Sequence, residues 1–352
     1  MMMGYKLRYF AMAALAPVAL LLLGVFLGGW FAVSALIYMT LLSFALDEWI
    51  GKLAGTADPE ADFTAANQLS ILLATAHFIL LLLVVFALSG GTGIGIFPGI
   101  ALALAAGLFF GQVSNSNAHE LIHRSDKRLF TLGKLVYISL LFGHHTSAHN
   151  KVHHRFVATE DDPNSAREGE SFYAFAPRAW IGSFTAGYAM EKADIARARQ
   201  AGKWRVNPYV GYLAGAAIML VLVEASFGAK GVAAYLFLCF YAQIQLLLSD
   251  YVQHYGLMRA RVENGGYEPV GDHHSWNSPH WFTSHLMMNA PRHSDHHAHP
   301  MRPYPALRLP DATRAPMLPY PLPTMATLAL FPPVWKRVMR RSLAKWEMIR
   351  KV

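Results

Sequence analysis

From Tyr9 to Leu46 the chain contains no Asp, Glu, Lys or Arg, and the same holds from Phe63 to Ala118. A helix needs about 20 consecutive apolar residues to cross a bilayer, so each run is long enough for two crossings. Gly28-Gly29 interrupts the first run and Gly90-Gly91-Thr92-Gly93 the second, and glycine is the residue that lets a chain leave a helix and turn tightly. Each run therefore reads as a helical hairpin. A third pair is expected between about Tyr209 and Ser249, turning near Gly228 to Gly231. The composition, 15% charged against 54% hydrophobic, argues against a water-soluble domain, where about 25% charge is usual. The expectation is an all-α, polytopic membrane protein with six transmembrane helices, paired at about 9–46, 63–118 and 209–249, with 1–352 forming one membrane-embedded domain.

The charges orient these spans. The turns between paired spans contain almost nothing but Lys230, whereas the segments on the other side hold nearly all of the 30 Lys and Arg. By the positive-inside rule that side is cytoplasmic, which puts both termini and the segments at about 119–208 and 250–352 there, in a multi-pass protein of the inner, cytoplasmic membrane. Lys6 and Arg8 ahead of the first run imitate a signal peptide, but no clear cleavage site follows and the run continues into a second span, so it reads as a retained anchor. The net charge of +8 does not imply a nucleic-acid partner, since no aromatic-plus-basic recognition motif accompanies it and much of the excess is local. Lys336, Arg337, Arg340, Arg341, Lys345, Arg350 and Lys351 are opposed only by Glu347 and interleaved with Val338, Met339, Leu343, Trp346 and Ile349. This pattern fits an amphipathic helix on anionic membrane lipid, with a docking face for an acidic redox protein as the alternative. The single cysteine, Cys239, reads as packing and allows neither a disulfide nor a four-cysteine iron site, so the chain carries no thiolate-bound electron relay of its own.

Of the 17 histidines, all but His77 and His254 fall between His119 and His154 or between His273 and His299. Each window is reached soon after a long apolar stretch. His119 and His123 stand at i and i+4, His149, His153 and His154 at i, i+4 and i+5, and His293, His296 and His297 at i, i+3 and i+4. On a helix these intervals turn imidazoles to one side, where they can converge on a cation. His254 follows the last span by about one turn and joins them. A tetrahedral site is filled by four ligands, so this many histidines imply two metals in a cytoplasmic histidine-rich domain. His119-Glu120-Leu121-Ile122-His123 also matches the zinc-protease helix motif, a reading that would leave the other clusters idle. A metal transporter would need polar residues within the spans, and these are nearly absent. Imidazole suits iron, zinc, copper and nickel alike, so ligand type does not name the metal.

The strings HELIHR, HNKVHHRFVATEDDP, QHYGL, HHSWNS and RHSDHHAHP, from about Val113 to Leu309, with a weaker echo from Leu46 to Gly51, resemble those of the integral-membrane alkane 1-monooxygenases. These are non-haem di-iron alkane hydroxylases within the membrane fatty-acid desaturase and hydroxylase superfamily. The resemblance implies two non-haem iron ions facing the cytoplasm, electrons from rubredoxin and its reductase, and O2-dependent hydroxylation of the terminal methyl of a hydrophobic substrate, a medium- or long-chain n-alkane, to a primary alcohol. Carried over by motif position, the family's ligands fall on His119, His123, His149, His153, His154, His254, His293, His296 and His297, the same set that spacing gives. Methyl hydroxylation of alkyl-aromatics and fatty-acyl desaturation or hydroxylation are the alternatives on this scaffold. Where alkane hydroxylases usually have Glu before the second cluster and before the His-Tyr-Gly box, this chain has Ala148 and Gln253.

A ligating histidine usually donates its other ring N–H to a carboxylate or carbonyl. His144, His274, Asp126, Asp161, Asp162, Asp250, Asp272 and Asp295 are the candidates for such support. His77 reads as a hydrogen-bonded core histidine, and His145, His273, His280, His285 and His299 as loop or surface residues. An alkane offers nothing to hydrogen-bond, so selectivity has to come from the shape of an apolar channel in which each methylene contributes about 1 kcal/mol. Met39 is the candidate wall residue.

Overall fold

The computed structural model describes residues 3–50, 63–263 and 265–350; Gly51 and Lys351, which the sequence reading includes, lie outside them. Helix α1 (Met3–Leu27) ends at Gly28 and α2 (Gly29–Ile50) begins at once. Gly28 and Gly29 have φ of 60° and 51°, where a Cβ is strained, so the glycine pair specifies the reversal. The two helices then approach so closely that a Cβ on Gly24 would lie 3.1 Å from Cα of Ala32. A second hairpin joins α3 (Phe63–Gly91) to α4 (Ile96–Leu121), turning where Gly90 and Gly93 have φ of 107° and 66°.

Helix α5 (Lys127–Ser139) starts at Asp126, whose carboxylate accepts from the N–H groups of Arg128 and Leu129. It is too short to span and packs on α4, where a Cβ on Gly133 would meet Leu121 Cβ at 2.7 Å. A short helical run, α6 (145–156), follows, and then α7 (Phe172–Gln200), capped by Ser171 and charged mainly in its last third. The 47 residues of α8 (Pro208–His254) would measure about 70 Å as one straight helix. Both ends nevertheless reach α6: the Tyr212 hydroxyl lies 2.9 Å from Ser147 Oγ, and the His254 and His153 rings are 4.8 Å apart. The reversal falls at Gly228, with φ 61° and ψ −168°, a conformation essentially restricted to glycine.

Five helices, α1, α2, α3, α4 and α8, are long and apolar enough to cross a membrane. Trp30, Ile96, Phe97 and Val221 on them are largely uncovered by protein, as a lipid-facing surface requires. The interior is tied together by polar groups that find partners: His77 Nε2 lies 2.8 Å from Ser139 Oγ, the Asn117 amide donates to Ser70 O at 2.9 Å, and the Gln243 amide donates to Leu140 O at 2.8 Å.

The remaining segments cap one end of this bundle through α9 (Trp281–Leu286), α10 (His293–Ala298), α11 (Leu322–Ala329) and α12 (Pro332–Arg350). Asp47, at the end of α2, anchors the cap by accepting from the N–H groups of Phe282 and Thr283 at 2.7 and 3.1 Å. Helix α12 is amphipathic as expected, but its apolar face does not meet lipid. Trp335, Met339, Leu343 and Trp346 are buried, and the Trp335 ring lies 5.2 Å from both Tyr251 and Tyr255. The aromatic end of α8 provides the apolar seat, which leaves the basic face of α12 outward. Among the described residues there is no β-strand, only the isolated bridges Arg261–Tyr267 and Asn277–Met317.

Replacing Gly228 by Ala is expected to cost about 1–3 kcal/mol from backbone strain, read as a lower thermal unfolding midpoint in detergent. Gly211→Ala, whose Cβ would meet nothing within 4 Å, is the control and should keep or slightly raise the midpoint, since Ala favours a helix over Gly.

Candidate metal centre

Four separated stretches deliver the histidines. The end of α4 carries His119 and the tight turn after it His123; α6 carries His149, His153 and His154; α8 ends on His254; α10 carries His293, His296 and His297. They assemble into two groups, one of His119, His123, His149, His154 and His296, the other of His153, His254, His293 and His297, with the candidate ligand atoms of each group within 4.8 Å of one another. The groups adjoin, since the rings of His154 and His297 are 4.7 Å apart.

The backbone of α6 decides who joins which group. An α-helix would align His149 with His153. Instead residues His149–His153 form a π-turn, in which the closing hydrogen bond runs to the fifth residue. His149 and His154 therefore share the first group while His153 turns to the second. On α10, a regular helix, His293 and His297 at i and i+4 share the second group and His296 goes to the first.

The donor set fits cations. Nε2 of His123, His149 and His154 are mutually 2.9, 2.9 and 3.2 Å apart, His296 Nε2 is 3.1 Å from His154 Nε2, and His293 Nε2 lies 2.9 and 3.1 Å from those of His254 and His297. Two neutral imidazoles can share only one proton between facing nitrogens, so such a cluster has more lone pairs than protons to separate them. Metal–nitrogen bonds of about 2.1 Å put adjacent ligands roughly 3.0–3.4 Å apart, close to these spacings. Burial holds His123, His149, His154, His293, His296 and His297 well below the usual imidazole pKa, with neighbouring histidines lowering them further. They are the neutral donors a metal needs. His153 is the exception: burial lowers it, but the Asp162 carboxylate, helped by Asp250, outweighs that and raises it. Its Nδ1 lies 2.9 Å from Asp162 Oδ2, while Nε2 is buried without a hydrogen-bond partner and free for a cation.

Asp162 is itself held. Its Oδ2 accepts from Ser165 Oγ at 2.7 Å and its Oδ1 from the Asn164 N–H at 3.1 Å. The other support candidates are engaged elsewhere. Asp126 caps α5, and Asp161 is exposed. Asp250 accepts from the Asn164 amide at 2.6 Å. Asp272 pairs with Arg314 at 3.3 Å, and Asp295 with Arg302 and the Arg308 N–H. The His144 ring packs between Phe142 and Phe184. His274 accepts from the Gly271 N–H on Nδ1 at 2.9 Å and faces Glu268 with Nε2 at 3.1 Å. That assigns the Nε2 proton to the Glu268 contact, so the cluster of Glu268, His273 and His274 is a loop clasp. Residue spacing alone could not rank these carboxylates, because which one reaches a ligand depends on turns such as the left-handed Ala158, φ 58°, whose N–H donates to Ser165 Oγ.

Two histidines expected in loops or at the surface are buried instead. His145 stacks 5.1 Å from His149, and His280 Nδ1 lies 2.8 Å from Ser278 Oγ. Glu120, the would-be protease base, forms an ion pair with Arg124 at 2.6 Å and accepts from the Tyr304 N–H at 3.1 Å, so it braces the cap on the end of α4. Ala148 and Gln253 both have local reasons. A Cβ on Gly187 would lie 3.2 Å from Ala148 Cα, so α7 runs too close for a long side chain there, and the Gln253 amide donates to Ala290 O at 3.1 Å, a bond an ionised Glu could not make.

Residues 94–328 match the family described as fatty acid desaturase. The chain is 36% identical over 256 residues to alkane 1-monooxygenase 1 of Alcanivorax borkumensis, covering 72% of this chain and 62% of that protein. It is 35% identical over 246 residues to the alkane 1-monooxygenase of Ectopseudomonas oleovorans, covering 70% and 61%. It is also 26% identical over 247 residues to the xylene/toluene monooxygenase hydroxylase component of Pseudomonas putida, covering 65% and 60%. The matched stretch thus spans less than two thirds of these relatives' own length.

Asp162→Asn removes the charge that orients His153. It is expected to weaken metal retention 10- to 100-fold, measured by competition with a chelator; unchanged retention would mean that Asp162 serves only its loop.

Proposed function

Because the chain belongs to the fatty acid desaturase family, we propose that it hydroxylates the terminal methyl group of medium- or long-chain n-alkanes to primary alcohols, using O2 and two non-haem iron ions. His119, His123, His149, His154 and His296 would hold one iron, and His153, His254, His293 and His297 the other. The observation that carries this reading is the convergence of these imidazoles, without a carboxylate among them, on two adjoining points. The alkane 1-monooxygenases among the relatives support the substrate class. The weaker match to the xylene/toluene enzyme supports a second reading, methyl hydroxylation on an aromatic ring.

When bound, the irons supply reductive activation of O2 and oxygen insertion into an unactivated C–H bond. The chain's own part is binding, orientation and exclusion of water. Neutral imidazoles leave the ions more of their charge than bridging carboxylates would. A cavity of about 620 Å³ lined by Leu36, Met39, Leu104, Leu108, Ile244 and Leu248 lies along α2, α4 and α8, the last two of which carry His119 and His254 at their cap ends. We read it as the alkane channel. Its polar wall groups include Gln112 and Gln245, whose amides face each other at 3.5 Å. No side chain is needed as nucleophile.

We count six crossings, α8 contributing one on each side of Gly228. By the positive-inside rule the cap lies in the cytoplasm of a cell whose inner membrane holds the bundle. Rubredoxin, recharged by its reductase, is the proposed electron donor, and the outward basic face of α12 with Lys336, Arg337, Arg340 and Arg341 is where an acidic protein would be attracted.

Elemental mass spectrometry of the purified chain is expected to give near two irons per chain. About one zinc and little iron, persisting after reconstitution with ferrous ion, would overturn the mechanism. Met39, buried at the channel wall, sets its width, so Met39→Trp should shift products towards shorter alkanes; an unchanged chain-length profile removes Met39 from the channel.

A further inference from the structure

The outward face of α7 is free of charge over most of the helix. From Phe172 to Glu191 the only charged residues are Arg178 and Glu191, and both are engaged by the protein. Arg178 donates to the Glu170 carboxylate and to the carbonyls of Pro163 and Ser165, and Glu191 is buried against Lys151 and Ser147. Tyr173, Trp180, Ile181 and Tyr188 stand at i, i+7, i+8 and i+15, one stripe of a helix, and are between 43% and 64% exposed. Steps of four and seven residues continue the stripe to Lys192 and Arg199, and Lys203, Trp204 and Arg205 follow the helix, all of them exposed. From Lys192 to Arg205 the one acidic residue is Asp194, which pairs with Lys151 and Arg197.

The neighbour of this stripe sets its depth. The part of α8 from Pro208 to Gly228 rises about 30 Å, the thickness of the hydrocarbon core. Leu213 and Ala216 sit about 7 and 12 Å along it from Pro208. Trp180, Ile181 and Phe184 of α7 border the same cavity as Leu213 and Ala216, and the Tyr209 hydroxyl donates to Phe184 O at 2.8 Å. The middle of α7 therefore lies at the level of the first turns of α8, inside the bilayer. We propose that α7 is an in-plane helix of the cytoplasmic leaflet, with Tyr173, Trp180, Ile181 and Tyr188 against acyl chains and Lys192, Arg199, Lys203 and Arg205 at the headgroups of anionic phospholipid. An apolar stripe continued by basic residues is the pattern of a helix held at such an interface. The proposal rests on the reading of α8 as two crossings. Its consequence reaches the histidines: a Cβ on Gly187 would lie 3.2 Å from Ala148 Cα, so α7 is pressed between the leaflet and α6, which carries His149, His153 and His154.

Cys239 is the only cysteine and is buried, so in a Cys239→Ala background a thiol-linked fluorophore reports a single position. Ile181→Cys is compared in nanodiscs with Val221→Cys, on the largely exposed surface of the first crossing of α8, and with Glu263→Cys, exposed on the cap. The quenchers are phospholipid brominated on its acyl chains and aqueous acrylamide. Brominated lipid is expected to quench at 181 and 221 at least about threefold more than at 263, and acrylamide to rank the sites the other way. Quenching at 181 by acrylamide as strong as at 263, without quenching by lipid, overturns the proposal and leaves the stripe as a face for another protein. The result at 221 separates the two readings: lipid quenching there alone removes the in-plane helix and keeps the crossing, whereas its loss there removes the crossing. Emission of Trp180 itself, isolated by difference from Trp180→Phe, gives the same answer if a cysteine variant fails to fold. Replacing Lys192, Arg199, Lys203 and Arg205 together by Gln should lessen quenching at 181 by brominated phosphatidylglycerol relative to brominated phosphatidylcholine; an unchanged ratio overturns the headgroup contacts.

Discussion

Buried imidazole nitrogens facing one another at 2.9–3.2 Å set the terms for the rest of this molecule. Each is a desolvated lone pair or a proton with nowhere better to go, and burying such groups unpaired costs free energy. A cation in each group would resolve the conflict. Without one, the scaffold must hold the rings together against their mutual repulsion. The hairpins and the cap do this from outside: α4 and α8 each carry a candidate ligand at their cap end, and the cap is pinned to the bundle by Asp47 and Glu120 through backbone N–H groups of Phe282, Thr283 and Tyr304. Those two carboxylates hold the segments before and after α10, at 282–283 and at 304, so the α10 histidines arrive in a fixed position relative to α4.

Rigidity of this kind also separates two environments. The bundle offers lipid-facing apolar side chains and a cavity along α2, α4 and α8, while the cap presents charge to water. A substrate without polar atoms would approach from the first side and an electron donor with acidic groups from the second. Under the proposed function the two routes would meet at the histidine groups, because α4 and α8 carry His119 and His254 from the apolar bundle to the cap.

Much of this was legible in the chain. Long apolar runs broken by glycines mark three reversals, and each occurs where Gly28-Gly29, Gly90 to Gly93 or Gly228 stands. Histidine spacing picks out the residues that converge. What spacing could not give is their division into groups, because an α-helical period pairs His149 with His153, whereas the π-turn pairs His149 with His154. One extra residue in a turn is invisible to a periodicity argument. Nor could sequence distance choose among six aspartates, since Asp162 wins by the shape of its loop and Asp126, nearer to His123 in sequence, is drawn away by the start of α5. The amphipathic pattern of α12 gave its two faces correctly but not their neighbours, because Tyr251 and Tyr255 compete with lipid for the same apolar stripe.

Ala148 and Gln253 follow the same logic of neighbours. A carboxylate at 148 would need room that α7 occupies at Gly187, and the buried carboxylate nearest in the structure's own wiring is Glu191, one turn further along α7, which accepts from Ser147 Oγ at 2.7 Å and pairs with Lys151 at 2.7 Å. Charge beside α6 is thus supplied from another helix and neutralised in place. At 253 the requirement is a donor towards Ala290 O, two residues before Arg292 and the start of α10, and an amide meets it where an ionised acid cannot. Both substitutions change how the histidine-bearing helices are braced while leaving the candidate ligands untouched, so tolerance at these positions follows from packing and hydrogen-bond polarity.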